Sequence, residues 1–162
     1  MATENEIKQA KAVYEKMCKT LDSKGWKFKR FDEDLTISLG VRGDDLPMDL
    51  IMRVNTGAQV VSVFSPMGFK ISEDKRVEAA LAVCVANYGL VNGSFDYDIN
   101  DGEIRFRATQ SFRESITGDE VLEYLLAITN FNVDKYNDRF LMLSKGMIDL
   151  KKFIEMENAE QN

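Results

Sequence analysis

Histidine is missing from this 162-residue chain, and proline (2), cysteine (2) and tryptophan (1) are scarce. Without histidine the usual general base, the partner of a serine or cysteine nucleophile and the commonest metal ligand are all gone. Cys18 and Cys84 lie far apart and outside any C-x-x-C spacing, so each reads as a buried free thiol. No apolar run approaches the ~20 residues of a membrane span. The opening residues, Met1 to Glu6, show no basic region followed by an apolar core. Glycine-rich phosphate loops, Walker patterns and G-x-S-x-G elbows are absent. Positive charge is also in deficit, with 21 basic against 27 acidic residues and a net charge of −6. That balance disfavours duplex nucleic acid and anionic membranes, which both select clustered cations. These absences predict a cytoplasmic, non-enzymatic chain with no cofactor, no metal, no nucleic acid and no membrane among its partners.

What is present is the patterning of one folded domain over residues 1–162, with 44% hydrophobic and 30% charged residues. Ile7, Ala10, Tyr14, Met17 and Leu21 recur every three or four positions and predict a first helix. Thr3 and Glu6 have the spacing of a capping box, and Gly25 suits a helix stop. From Trp26 the period changes to two. Four strands are expected, around Trp26–Phe28, Leu35–Val41, Met48–Val54 and Gln59–Phe64, with Pro66-Met67-Gly68 as a turn. A second helix is expected over Glu73–Tyr88, capped by Ser72, its apolar stripe formed by Val77, Leu81, Cys84, Val85 and Tyr88. Two further strands flank the hairpin signal Asn100-Asp101-Gly102. Thr117 and Glu120 form a second capping box, and the helical period then persists to about residue 156, leaving a frayed tail over 158–162. The fold class is therefore α+β, in the order α-β-β-β-β-α-β-β-α, an antiparallel meander covered on one face by helices. Trp26 is expected to be buried where the first helix meets the sheet.

Three charged motifs have both a structural and a functional reading. Asp96, Asp98 and Asn100 alternate as in a calcium loop, but glycine falls at position seven and Arg107 occupies the place of the bidentate carboxylate. A solvated hairpin fits better. Lys24, Lys27, Lys29 and Arg30 interleave with Trp26, Phe28 and Phe31, as on a single-strand nucleic-acid platform, yet Asp32, Glu33 and Asp34 nearly cancel their charge. A protected edge strand fits better. Arg105 and Arg107 leave their strand opposite the core residues, placed to pair with Asp96 or Asp98, or to bind an external carboxylate.

Several residues carry a family resemblance: Trp26, Asn87, Gly93-Ser94-Phe95-Asp96-Tyr97-Asp98, Gly102-Glu103-Ile104-Arg105-Phe106-Arg107, Tyr136 and Gly146. With this element order, the chain resembles the bacterial YbjN-like proteins, described as sensory-transduction regulators, whose fold is similar to that of type III secretion chaperones. The resemblance implies a small regulatory or chaperone-like module that binds a protein partner or client segment. It offers no catalytic or metal-binding residues to carry over. The alternative is a small-ligand-binding or enzymatic domain with an acidic site. Exposed apolar area would favour the first reading, and a closed pocket of converging carboxylates the second.

The expected partner surface lies near the C-terminus. Tyr136, Phe140, Leu143, Met147, Leu150 and Ile154 step by three and four, as in a coiled-coil seam. A continuous helix over 118–156 would be about 58 Å long, beyond the ~40 Å diameter of a compact domain this size. Either it bends, near 130–132 or at Gly146, and covers its own sheet, or it projects and pairs with a second copy as a homodimer.

Overall fold

The computed structural model describes residues 2–160, apart from 114 and 116. Helix α1 (Glu4–Ser23) opens with Thr3 Oγ1 accepting the Glu6 N–H and the Glu6 carboxylate accepting the Thr3 N–H, the reciprocal box its sequence predicts. Four strands follow: β1 (Lys29–Phe31), β2 (Thr36–Arg42), β3 (Pro47–Asn55) and β4 (Val60–Lys70). A single 3-10 turn (Glu73–Lys75) leads into α2 (Arg76–Tyr88), then come β5 (Ser94–Asp98), β6 (Glu103–Ser111), α3 (Asp119–Ser144) and α4 (Leu150–Glu160). The strands make one antiparallel sheet in the order β1-β2-β3-β4-β6-β5.

Alternation decides which face is covered. Met48, Leu50, Met52 and Val54 point inward from β3, opposite Ile37 and Leu39 on one side and Val61 and Val63 on the other. Ile104, Phe106 and Ala108 extend this apolar floor along β6, and the helices pack on it. Arg53, Ser62, Phe64, Arg105, Arg107 and Thr109 occupy the opposite, uncovered face.

The structure departs from the pattern in several places. The C-terminal helical period is two helices rather than one over 118–156, because Gly146 takes φ 68°, a left-handed conformation costly to residues with a Cβ. Pro66, Met67 and Gly68 continue β4 instead of turning, with a register shift between Pro66 and Lys70 where the missing proline N–H interrupts the ladder. Trp26 precedes β1 and is 39% exposed, so it does not seal the first helix against the sheet. Neither predicted cap at Ser72 nor Thr117 forms; Ser72 instead donates to the Ser144 carbonyl, and Gly118 is the N-cap of α3. Helix α4 continues through Glu160, past the point where fraying is expected; residues 161 and 162 lie outside the described residues.

Candidate partner-binding surface

The C-terminal seam is not a free surface. Tyr136, Phe140 and Leu143 are fully buried, because the reversal at Gly146 folds α4 back over them. Phe153 from α4 stacks near Tyr136 and Phe140, and Phe95 of β5 meets both edge-on at centroid distances of 5.2 and 5.4 Å. Beside these rings the buried Glu157 carboxylate accepts from Tyr136 Oη at 2.7 Å and pairs with the buried Arg139 guanidinium. Leu150 and Ile154 are half-buried, and only Met147, in the turn, stands free at 72% exposure. Of the two arrangements expected for this seam, the chain takes the bend at Gly146, and the covering helix is its own rather than a second copy's.

The bare apolar surface is on α2 instead. Its sequence is apolar nearly all round, with small residues on one side and large ones on the other. Ala79, Ala82, Val83 and Ala86 are buried, since short side chains let the helix lie close to its neighbours. The expected core stripe therefore splits: Val77 is 69% exposed, Leu81 51% and Tyr88 91%, while Val85 is half-buried against the core; just past the helix, Val91 at 99% joins the outward residues. Cys84 is exposed in the middle of this stripe, contrary to its reading as a buried thiol, while Cys18 is buried as expected. A helix apolar on all sides is normally enclosed on all sides.

The scaffold beneath α2 is well fixed. Asn87 accepts the Phe95 N–H at 2.7 Å and donates to its carbonyl at 3.1 Å, tying the helix end to β5. Tyr97 Oη donates to the Arg76 carbonyl at 3.1 Å. Glu78 accepts the Leu150 N–H at 2.7 Å and pairs with Lys75 at 2.7 Å, linking α2 to the start of α4. The connection from α2 to β5 needs Gly93 at φ 82°, where a Cβ would strike the Phe106 ring. Asn87 and Gly93, which carry the family resemblance, are thus geometric residues of the α2 platform.

The charged motifs resolve structurally. Asp96 faces Arg105 across the hairpin and is held by Arg107 at 2.9 and 3.0 Å and by Arg105 at 3.3 Å. Burial draws the Asp96 carboxyl upward, but the two arginines outweigh it and hold it below its usual value. Asp98 accepts from Asn100, and Asp101 pairs with Lys70. A polar groove of about 450 Å³ contains Asp96, Asp98 and Glu103, and the first two are already engaged in this way. Among the described residues no three Cys, Asp or Glu side chains converge as a metal site requires. Nor is any described helix long and apolar enough to cross a membrane.

The architecture is thus a helix-covered antiparallel sheet that leaves the outer face of α2 bare, and chains of this α+β fold are known. E. coli YbjN, solved as "a putative transcription regulator", superposes with TM-score 0.60 at 11% identity, covering 78% of this chain and 92% of that one. A chain of the ExsC–ExsE complex gives 0.54 at 14% identity, with 78% and 92% covered. A chain of the HopA1–SchA chaperone–effector complex gives 0.55 at 12% identity, with 79% and 95% covered. No curated protein sequence matches the chain. The family model described as "Putative bacterial sensory transduction regulator" matches residues 14–142, and the chain belongs to that family, YbjN. The resemblance read from the sequence is correct, and so is the fold class it implied.

Proposed function

We propose that the chain is a non-enzymatic regulatory or chaperone-like module that works by holding protein, and that α2 is its interface with a second copy. One observation carries this reading: the outward stripe of Val77, Leu81, Tyr88 and Val91, set on a rigid platform. Large apolar side chains gathered on one surface mark a place where another protein sits. A second copy fits because the stripe is nearly symmetric along the chain. Val77 and Val91 lie seven residues either side of Cys84, and Leu81 and Tyr88 lie three and four away. Two antiparallel α2 helices related by a two-fold axis near Cys84 would cover every member of the stripe with its own counterpart, as an isologous interface requires. The helical part of the stripe, Val77 to Tyr88, extends along about 17 Å, enough for two copies to interdigitate over about three turns. Relatives in fold that were solved as a chaperone–effector complex support the wider role.

That geometry places two exposed thiols at the axis, which gives the test. Mild oxidation of the native protein should yield a covalent dimer that disappears in Cys84→Ser and persists in Cys18→Ser. Failure to cross-link while both thiols remain reactive would contradict the antiparallel α2 interface.

A further inference from the structure

A second surface has the properties of a binding groove and lies away from α2. The ladder between β3 and β4 runs from Asn55–Val60 to Ile51–Phe64 and has no further pairs. Beyond it, Pro47–Leu50 of β3 and Pro66–Phe69 of β4 face each other without ladder pairing, since Pro66 brings no N–H and β4 shifts register there. A groove of about 330 Å³ lies at this place, walled by Pro47, Met48, Met67 and Phe69 and floored by Val133, Asn137 and Leu141 of α3. A Cβ built at Gly68 would touch nothing within 4 Å, so this wall is open.

One polar group in the groove is unspent. Asn137 is only 2% exposed and its Oδ1 accepts the Asp138 N–H, but among the described residues its Nδ2 has no partner. A buried donor without an acceptor costs about 1–3 kcal/mol, which folding has no reason to retain at a purely apolar site. At the end of the groove marked by Leu46, carboxylates gather. Asp134 accepts the Asp44 N–H at 2.9 Å, and Asp45 lies near enough to Asp138 to help raise its pKa, behind the larger effect of burial. The ion pairs among the described residues include none of Asp44, Asp45, Asp134 or Asp138.

We infer that this groove holds an extended segment of a partner protein, apolar at alternate positions and closed by lysine or arginine. Strand edges without ladder pairing select extended backbone, because their main-chain groups can pair only with another extended chain. The four residues of β3 that pair with β2 but have no partner on the β4 side match ~13 Å of such a segment. Met48, Met67 and Phe69 provide adaptable apolar contacts for its inward side chains. Asn137 Nδ2 supplies one donor to a main-chain carbonyl, and the aspartates gathered at the Leu46 end select cationic ends. This inference rests on the reading of the chain as a protein-binding module and specifies what that module takes besides a second copy.

The probe is a fluorescein-labelled peptide of alternating leucine and serine closed by two lysines, compared with the same peptide closed by two glutamates. Fluorescence polarisation with the full chain should show saturable binding of the lysine peptide, at least tenfold tighter than the glutamate one and weakened by salt. Asp45→Lys combined with Asp138→Asn should remove that preference. Asn137→Leu should weaken binding severalfold while raising the melting temperature, an opposition that a purely structural asparagine would not produce. Leu81→Asp, which strikes α2, should leave peptide affinity unchanged. Equal affinity for both peptides, no saturable binding, or binding indifferent to the Asp45, Asp138 and Asn137 variants would each overturn the inference. Because Leu81→Asp reports on α2 alone, those results leave the α2 interface standing or falling on its own data.

Discussion

Glu157 shows how much one side chain can decide. Its carboxylate is buried between Tyr136 Oη and the Arg139 guanidinium, and it anchors α4 to α3. Removing it takes a shared acceptor from Tyr136, Arg139 and Lys135 at once, so Glu157→Ala should cost about 3 kcal/mol in urea unfolding. Trp26 lies at the opposite extreme. At 39% exposure its replacement by alanine should cost about 2 kcal/mol, below the ~3–5 kcal/mol of a fully buried large aromatic, and acrylamide should quench its fluorescence readily. Two aspartates then respond to pH in opposite senses. The Asp96 carboxyl is held below its ordinary value of 3.8 in the fold, so the stability it contributes is complete above that value and is lost as pH falls through the lower folded one. Asp138 is raised above 3.8, first by burial, so it destabilises increasingly as pH climbs through its folded pKa. Asp138→Asn should therefore raise the melting temperature at neutral pH and lose that advantage in acid, whereas Asp96→Asn should lower it at neutral pH. Thermal melts across the acid range compare the two.

The elements divide into those whose signals are local and those decided by their neighbours. Thr3 with Glu6, and the turn Asn100-Asp101-Gly102, act through adjacent backbone groups, and both are readable directly from residue order. Gly146 belongs with them, since its positive φ is what separates α3 from α4. Gly146→Val should cost about 1–2 kcal/mol through the left-handed backbone alone, there being room for a Cβ 3.9 Å from Lys75 Cε. A loss of stability in a chemical melt, without loss of helical circular dichroism, is the expected outcome. Other features depend on tertiary competition. In α2 the large side chains predict the buried face by hydrophobicity, yet the alanines win it because close approach of helix to sheet needs small volume. Pro66 and Gly68 read as a turn from composition, but β6 holds the strand on either side of the register shift, through Pro66–Arg105 and Lys70–Glu103. The coiled-coil-like seam of α3 is a correct reading of apolar periodicity, but periodicity cannot say whether the covering helix belongs to another chain or to the same one.

For the molecule as a whole, the helix-covered sheet encloses one continuous core and leaves α2 apolar on its outer side. The same geometry explains why nothing in the sequence announced the groove between β3 and β4, since that groove arises where two strands separated by a turn stop pairing. A second copy on α2 and an extended client in the groove occupy different surfaces, so binding of one need not exclude the other. The central claim is the α2 interface, and light scattering coupled to gel filtration tests it most directly. The chain should elute with a mass of about 37 kDa, twice its 18.4 kDa, and Leu81→Asp should elute near 18 kDa with an unchanged far-ultraviolet spectrum. A wild-type chain that remains at 18.4 kDa at high micromolar concentration, or a Leu81→Asp variant that stays dimeric, would contradict it.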